Sequence, residues 1–239
     1  MRHDFKDIRA IFFDAGGTLI HLDSTRICDL INAEFGIRPR ADRFRHAQFL
    51  GMSRVAELVA EGKGSTEKLK REFYSTLLPE VGISEEHLRA VVDCVLKLAE
   101  AEMLWYKADG FAAETLSRLK ERGFKLGLVS NSDGRIESAI TRAGLAEHLD
   151  FFIDSFLVGV EKPDPRIFHF ACERAGVAPH EAAYVGDLCS VDVIGSLSAG
   201  LLPVLYDPYD LNTAPDCLRI RSLGELLVIA ATRGDNERA

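Results

Sequence analysis

Strand-like and helix-like segments alternate along this chain, and a single long interruption in that alternation restricts its fold more than any other feature. Ile8 to Phe13 is an apolar run that stops at Asp14 and runs into Ala15-Gly16-Gly17, a turn suited to residues without a Cβ. From Asp23 to about Glu102 no segment reads as a strand, and helical spacing takes over. Ile27, Leu30, Ile31 and Phe35 form one apolar stripe, Leu69, Phe73 and Leu77 a second, and Leu88, Val91, Val92, Val95 and Leu96 a third. Ser65 and Ser84 stand where N-caps belong. After Asp109-Gly110 the alternation resumes. Phe124 to Ser130, Phe151 to Ile153, Tyr184-Val185 and Leu202 to Tyr206 read as strands, with helices ending at Gly123, Gly144, Gly176 and Gly200. Ser190 is the expected cap of the helix ending at Gly200, and Ser222 with Glu225 is the expected capping box of the last helix. Repeated strand–helix units imply an α/β fold with a parallel sheet covered on both faces.

Composition removes several classes of function. The 239 residues are 47% hydrophobic, enough for a sizeable core. Lys and Arg total 29 against 37 Asp and Glu, with a net charge of −8 and no basic block, so a nucleic-acid partner is not expected. No apolar run approaches the roughly 18 residues needed to span a bilayer. Met1 to Asp7 is too charged for a signal peptide, and Arg233 to Ala239 reads as a frayed end. Cys28, Cys94, Cys172, Cys189 and Cys217 are odd in number and scattered, as expected of reduced thiols in a cytoplasmic protein.

Asp14, Ser130 and Asp187 each follow an apolar run, at the carboxyl end of an expected strand, the edge of a parallel sheet where ligands bind. Asp14 is a candidate nucleophile or metal ligand, and equally a cap for its turn. Ser130 and Asn131 offer donors to a phosphate or carboxylate, although one of Asn131, Ser132 and Asp133 is needed as an N-cap. Lys162, stiffened by Pro163, can deliver a fixed positive charge, or simply sit in a solvated loop. Asp187 and Asp192 with Asp14 and a backbone carbonyl make an oxygen-only donor set, which favours Mg²⁺ over zinc. Asp192 also suits the first turn of a helix.

The order Asp14, Ser130, Lys162, Gly186-Asp187 with Asp192 resembles the four signature motifs of the haloacid dehalogenase superfamily. The resemblance implies a Rossmann-like parallel-sheet core in residues 1–22 and 107–239, with an inserted all-helical cap in residues 23–106. It implies that Asp14 is the nucleophile, that Ser130 and Asn131 bind the transferring group, and that Lys162 stabilises the transition state. It further implies Mg²⁺ held by Asp14, the Gly16 carbonyl, Asp187 and Asp192. Leu50-Gly51-Met52-Ser53-Arg54 resembles the cap loop that selects substrates, which makes Met52, Ser53 and Arg54 specificity candidates; a plain amphipathic helix with Arg54 exposed is the competing reading.

One position departs from the family pattern. Phosphatases of the superfamily carry a second aspartate two positions after the nucleophile, and here that position is Gly16. Loss of a general acid or base costs ~10²- to 10⁴-fold. The leading expectation is a phosphohydrolase that acts on a small phosphorylated metabolite through an aspartyl-phosphate. A 2-haloacid dehalogenase needs no acid, since halide leaves without a proton, and a non-catalytic phosphate-binding module needs none either. A phosphonoacetaldehyde hydrolase also lacks the second aspartate, but its cap lysine has no match near Leu50. His21, just past the turn, is the candidate replacement acid.

Overall fold

The computed structural model describes residues 5–63, 65–212 and 217–230. The charged start Met1–Asp4 and the terminal stretch Arg233–Ala239 lie outside them. The chain divides into two compact units, Met1–Ile20 with Ala108–Ala239, and His21–Lys107.

In chain order the elements are β1 (Ala10–Phe13), β2 (Ile20–Leu22), α1 (Ser24–Phe35), α2 (Phe44–Ala60), α3 (Thr66–Glu80), α4 (Glu85–Ala101) and β3 (Trp105–Ala108). There follow α5 (Ala112–Glu121), β4 (Lys125–Ser130), α6 (Ile136–Arg142), β5 (Phe151–Asp154), α7 (Ser155–Val158), α8 (Pro165–Ala175) and β6 (Ala182–Gly186). The last are α9 (Ile194–Ser198), β7 (Leu202–Tyr206), β8 (Leu218–Ile220) and α10 (Glu225–Ile229). A six-stranded sheet in the order β5-β4-β1-β6-β7-β8 is parallel throughout. β2 and β3 pair as a separate two-stranded sheet.

The central strand carries Ala10, Ile11, Phe12 and Phe13, all fully buried, as a strand covered on both faces requires. On one face Phe12, Phe151, Ile167, Phe168 and Tyr184 share a core. β1 lies between β4 and β6, so the carboxyl ends of these three strands meet where the strand order reverses. In an open parallel sheet that reversal leaves a crevice for ligands.

The helical unit has its own core, centred on Ile27, Ile31, Leu77, Val91, Val92 and Val95. Asp23 caps α1 by accepting from the Arg26 N–H, and Gly36 closes it in the left-handed conformation (φ 67°). Ser65 caps α3 through the Lys68 N–H. Ser84 is the N-cap residue of α4, but its hydroxyl meets the His87 ring rather than a backbone N–H.

Three local expectations are corrected. Leu50–Arg54 is not a loop but the middle of α2, a 17-residue helix. A Cβ at Gly51 would come within 2.9 Å of both the Phe73 ring and its carbonyl, so this glycine lets α2 and α3 approach closely rather than breaking a helix. None of Asn131, Ser132 and Asp133 caps α6, which starts later, and the Ile136 N–H is received by the Asp154 carboxylate at the end of β5. Ser190 caps nothing. It lies inside a π-turn, Cys189–Val193, in which the Leu188 carbonyl takes the N–H groups of Val191, Asp192 and Val193. The Ser190 hydroxyl is buried without a partner.

Candidate active site

Asp14 leaves the end of β1 with its N–H bonded to the Val185 carbonyl of β6 (2.8 Å). The chain then doubles back. The Ala15 carbonyl takes the N–H groups of Thr18, Leu19 and Ile20, and Gly17 donates to the Ile20 carbonyl. Gly17 carries the left-handed conformation of this turn (φ 96°), and Gly16 does not. Gly16 is half-buried and bridges to Ile20.

Lys162 reaches the same point from the loop before α8 and is 4% exposed. Its ammonium contacts Asp14 Oδ1 at 2.6 Å, Asp192 Oδ1 at 2.8 Å and the Tyr184 hydroxyl at 2.8 Å. Asp192 also accepts the Leu188 N–H through Oδ2, so it braces the π-turn and the lysine together. A side chain on Gly186 would collide with Asp192, which explains the glycine at the end of β6. Asp187, 2% exposed, receives a 3.4 Å hydrogen bond from the Thr18 hydroxyl on Oδ1, while its buried Oδ2 has no partner.

The electrostatics of this cluster are unbalanced. Burial, with Asp192 adding to it, pushes the Asp14 carboxyl up to about 6 despite Lys162. Burial and the neighbouring carboxylates of Asp14 and Asp192 push Asp187 well above the usual carboxylate range. Burial opposes the charge on Lys162, but the carboxylates of Asp14 and Asp192 outweigh it and hold the ammonium above its ordinary pKa. Three buried carboxylates thus face one lysine, and an oxygen from each lies within 4.8 Å of the others. A hard, oxygen-seeking divalent cation fits that donor set, and the orphaned Asp187 Oδ2 is an atom it would satisfy.

Ser130 ends β4, 5% exposed, and its hydroxyl bonds to no described residue. Asn131 is differently occupied. Its amide grips the Lys162 backbone from both sides, accepting the N–H (2.8 Å) and donating to the carbonyl (2.9 Å). The side chain expected to bind a phosphate thus also fixes the lysine loop. Arg54 belongs to the helical unit, exposed on α2 and paired with Glu57 at 3.0 Å. Met52 lies beside Gln48 in the same helix.

His21 is buried in the helical unit, with Nδ1 3.0 Å from the amide nitrogen of Gln48. The orientation of that amide is fixed, because its oxygen accepts the Leu22 N–H (3.0 Å). His21 Nδ1 is therefore an acceptor, which assigns the ring proton to Nε2. Thr18 and Tyr184 were not among the sequence candidates. Their positions, four residues after Asp14 and three before Asp187, were the available signal.

A doubly wound parallel core with an acidic, lysine-braced centre at the carboxyl edge of its middle strands defines the class. Within it, the chain belongs to the haloacid dehalogenase-like hydrolases, whose family model matches residues 8–200. It is 43% identical over 111 residues (46% of this chain, 44% of the relative) to the mouse haloacid dehalogenase-like hydrolase domain-containing protein 3. Identity to a Thermus thermophilus phosphoserine phosphatase is 34% over 167 residues, 68% of this chain and 65% of the relative. The chain thus spans less than two thirds of the length of these curated relatives. A dehalogenase solved with an intermediate complex superimposes with a TM-score of 0.65 at 25% identity, over 95% of this chain and 98% of the other. No described helix is long and apolar enough to cross a membrane.

Proposed function

We propose that the protein is a Mg²⁺-dependent phosphohydrolase that acts on a small phosphorylated metabolite, with Asp14 as nucleophile and the helical unit as a cap. The observation that carries this reading is the surplus of acid: three buried carboxylates, one lysine and an unpartnered Asp187 oxygen. A dehalogenase needs one carboxylate to displace halide and a second as base for the water that cleaves the ester, which leaves the third without a part in the reaction. Asp14, the Gly16 carbonyl, Asp187 and Asp192 are the residues that would hold Mg²⁺. When bound, the ion supplies positive charge for these carboxylates and for a phosphoryl group.

Lys162 holds Asp14 Oδ1, leaving Oδ2 to attack phosphorus; the new O–P bond forms as the leaving-group oxygen departs. Water then attacks the aspartyl-phosphate and releases phosphate, which returns Asp14 to its carboxylate. Ser130 and Asn131 meet the phosphoryl group, Lys162 lends its fixed charge to the transition state through its hold on Asp14, and Asn131 keeps Lys162 in place. Arg54 of the helical unit remains a proposed substrate contact. A reducing cytoplasm suits the five cysteines, which form no disulfide.

Gly16 supports a second reading, a 2-haloacid dehalogenase, because a departing halide needs no proton; the dehalogenase of similar structure supports it too. The two readings separate in one assay. Phosphate release from acetyl phosphate is expected with Mg²⁺ and not in EDTA, and 2-chloropropionate is expected to release no chloride in either. Chloride release in EDTA overturns the phosphohydrolase. Binding of inorganic phosphate with no turnover of either compound identifies a non-catalytic module.

A further inference from the structure

Lys162 has three ammonium hydrogens and three acceptors. Two acceptors are the carboxylates of Asp14 and Asp192, and the third is the neutral hydroxyl of Tyr184. That hydroxyl has a single hydrogen, which it donates to the Val129 carbonyl at 2.8 Å, so it meets the lysine as an acceptor. Its position is rigid. Tyr184 is 1% exposed on β6, and its ring packs edge-on against Phe168 (centroids 4.9 Å apart, 86° between planes). Burial, reinforced by the nearby carboxylates, holds the phenol well above its ordinary pKa, so it stays protonated.

We propose that Tyr184 is a positioning residue for Lys162, its hydroxyl fixing the direction of the ammonium against Asp14; this rests on the phosphohydrolase reading. A lysine stem has four rotatable bonds, and an ammonium held only by two carboxylates can follow either of them. A third acceptor, anchored in the sheet rather than in the site, removes that freedom before substrate arrives. Charge placed in advance stabilises a transition state without reorganisation at the moment of reaction. The contact with Phe168 needs only the ring, so the hydroxyl is there for the Val129 carbonyl and for Lys162.

The test is Tyr184→Phe, which keeps the ring and removes the hydroxyl. With acetyl phosphate and Mg²⁺, kcat is expected to fall about 10- to 100-fold, the range for losing a hydrogen bond to a charged group, with KM nearly unchanged. A merely structural role would lower the melting temperature and leave kcat per folded molecule as it was. The second readout needs no turnover. In the wild-type protein the ¹⁵Nζ ammonium signal of Lys162 should exchange slowly with water and show contacts to the Tyr184 ring, and in Tyr184→Phe that protection should be lost. Wild-type kcat and wild-type ammonium protection in the variant overturn the proposal. So does a wild-type protein without a protected Lys162 ammonium, which decides the matter even if the variant does not fold. Failure of the wild type to cleave acetyl phosphate overturns the phosphohydrolase reading instead, while the ammonium comparison still judges Tyr184.

Discussion

Gly16→Asp should raise steady-state hydrolysis of an alkyl phosphate by ~10²- to 10⁴-fold, the contribution of a general acid and base that the native turn lacks. The native protein should instead favour acyl or aryl phosphates, whose leaving groups depart without a proton. With those substrates the aspartyl-phosphate should form quickly and break down slowly, giving a burst followed by slow turnover. The left-handed residue of the turn is Gly17, at φ 96°, so a side chain at Gly16 meets no conformational penalty of that kind, and the position is only half-buried. Gly16→Ala is the control, since it adds a Cβ without a carboxyl. Equal rates for the two variants, both folded and binding Mg²⁺, would show that another residue already supplies the acid. His21 would be the first to mutate.

Lys162→Met should be the most damaging single change to stability. Among the described residues it removes the only cation facing Asp14, Asp187 and Asp192, and breaking a buried ion pair from one side costs about 3–5 kcal/mol. Activity should fall by at least ~10²-fold, the usual loss when one charge-stabilising donor is taken from a transition state. Thermal melting should show a large drop without metal and partial recovery on adding MgCl₂, since a divalent cation can replace part of the missing charge. A second substitution, Asp192→Asn, should also restore stability, because it removes one of the stranded carboxylates. A Lys162→Met protein that melts like the wild type without metal would mean that the carboxylates are balanced in some other way.

The residues that sequence located were those with local marks. Asp14, Ser130 and Asp187 each end an apolar run, and in a parallel sheet every such end lies on one edge, so their meeting followed from strand direction alone. Lys162 and Asp192 were legible through motif order. The roles of Tyr184 and Asn131 were not, because their partners lie 22 and 31 residues away and only tertiary packing joins them. Tyr184 in particular looks like any aromatic in a buried strand until its hydroxyl is seen against Lys162. The loop expected at Leu50–Arg54 came from the family resemblance, whereas what constrains Gly51 is the close passage of Phe73, more than twenty positions later. The α6 cap failed similarly, with Asp154 of β5 accepting the N–H that a residue of 131–133 was expected to take.

The central claim is that Asp14 accepts a phosphoryl group with the help of Mg²⁺. Rapid acid quenching during the first turnover of acetyl phosphate, followed by mass spectrometry of the peptide bearing Asp14, tests it most directly. The account predicts a phosphoryl adduct on Asp14 that forms with Mg²⁺, is absent in EDTA and is absent in Asp14→Asn. Mg²⁺-dependent phosphate release with Asp14 unmodified throughout, or an ester formed on Asp14 from a 2-haloacid in EDTA, would contradict it.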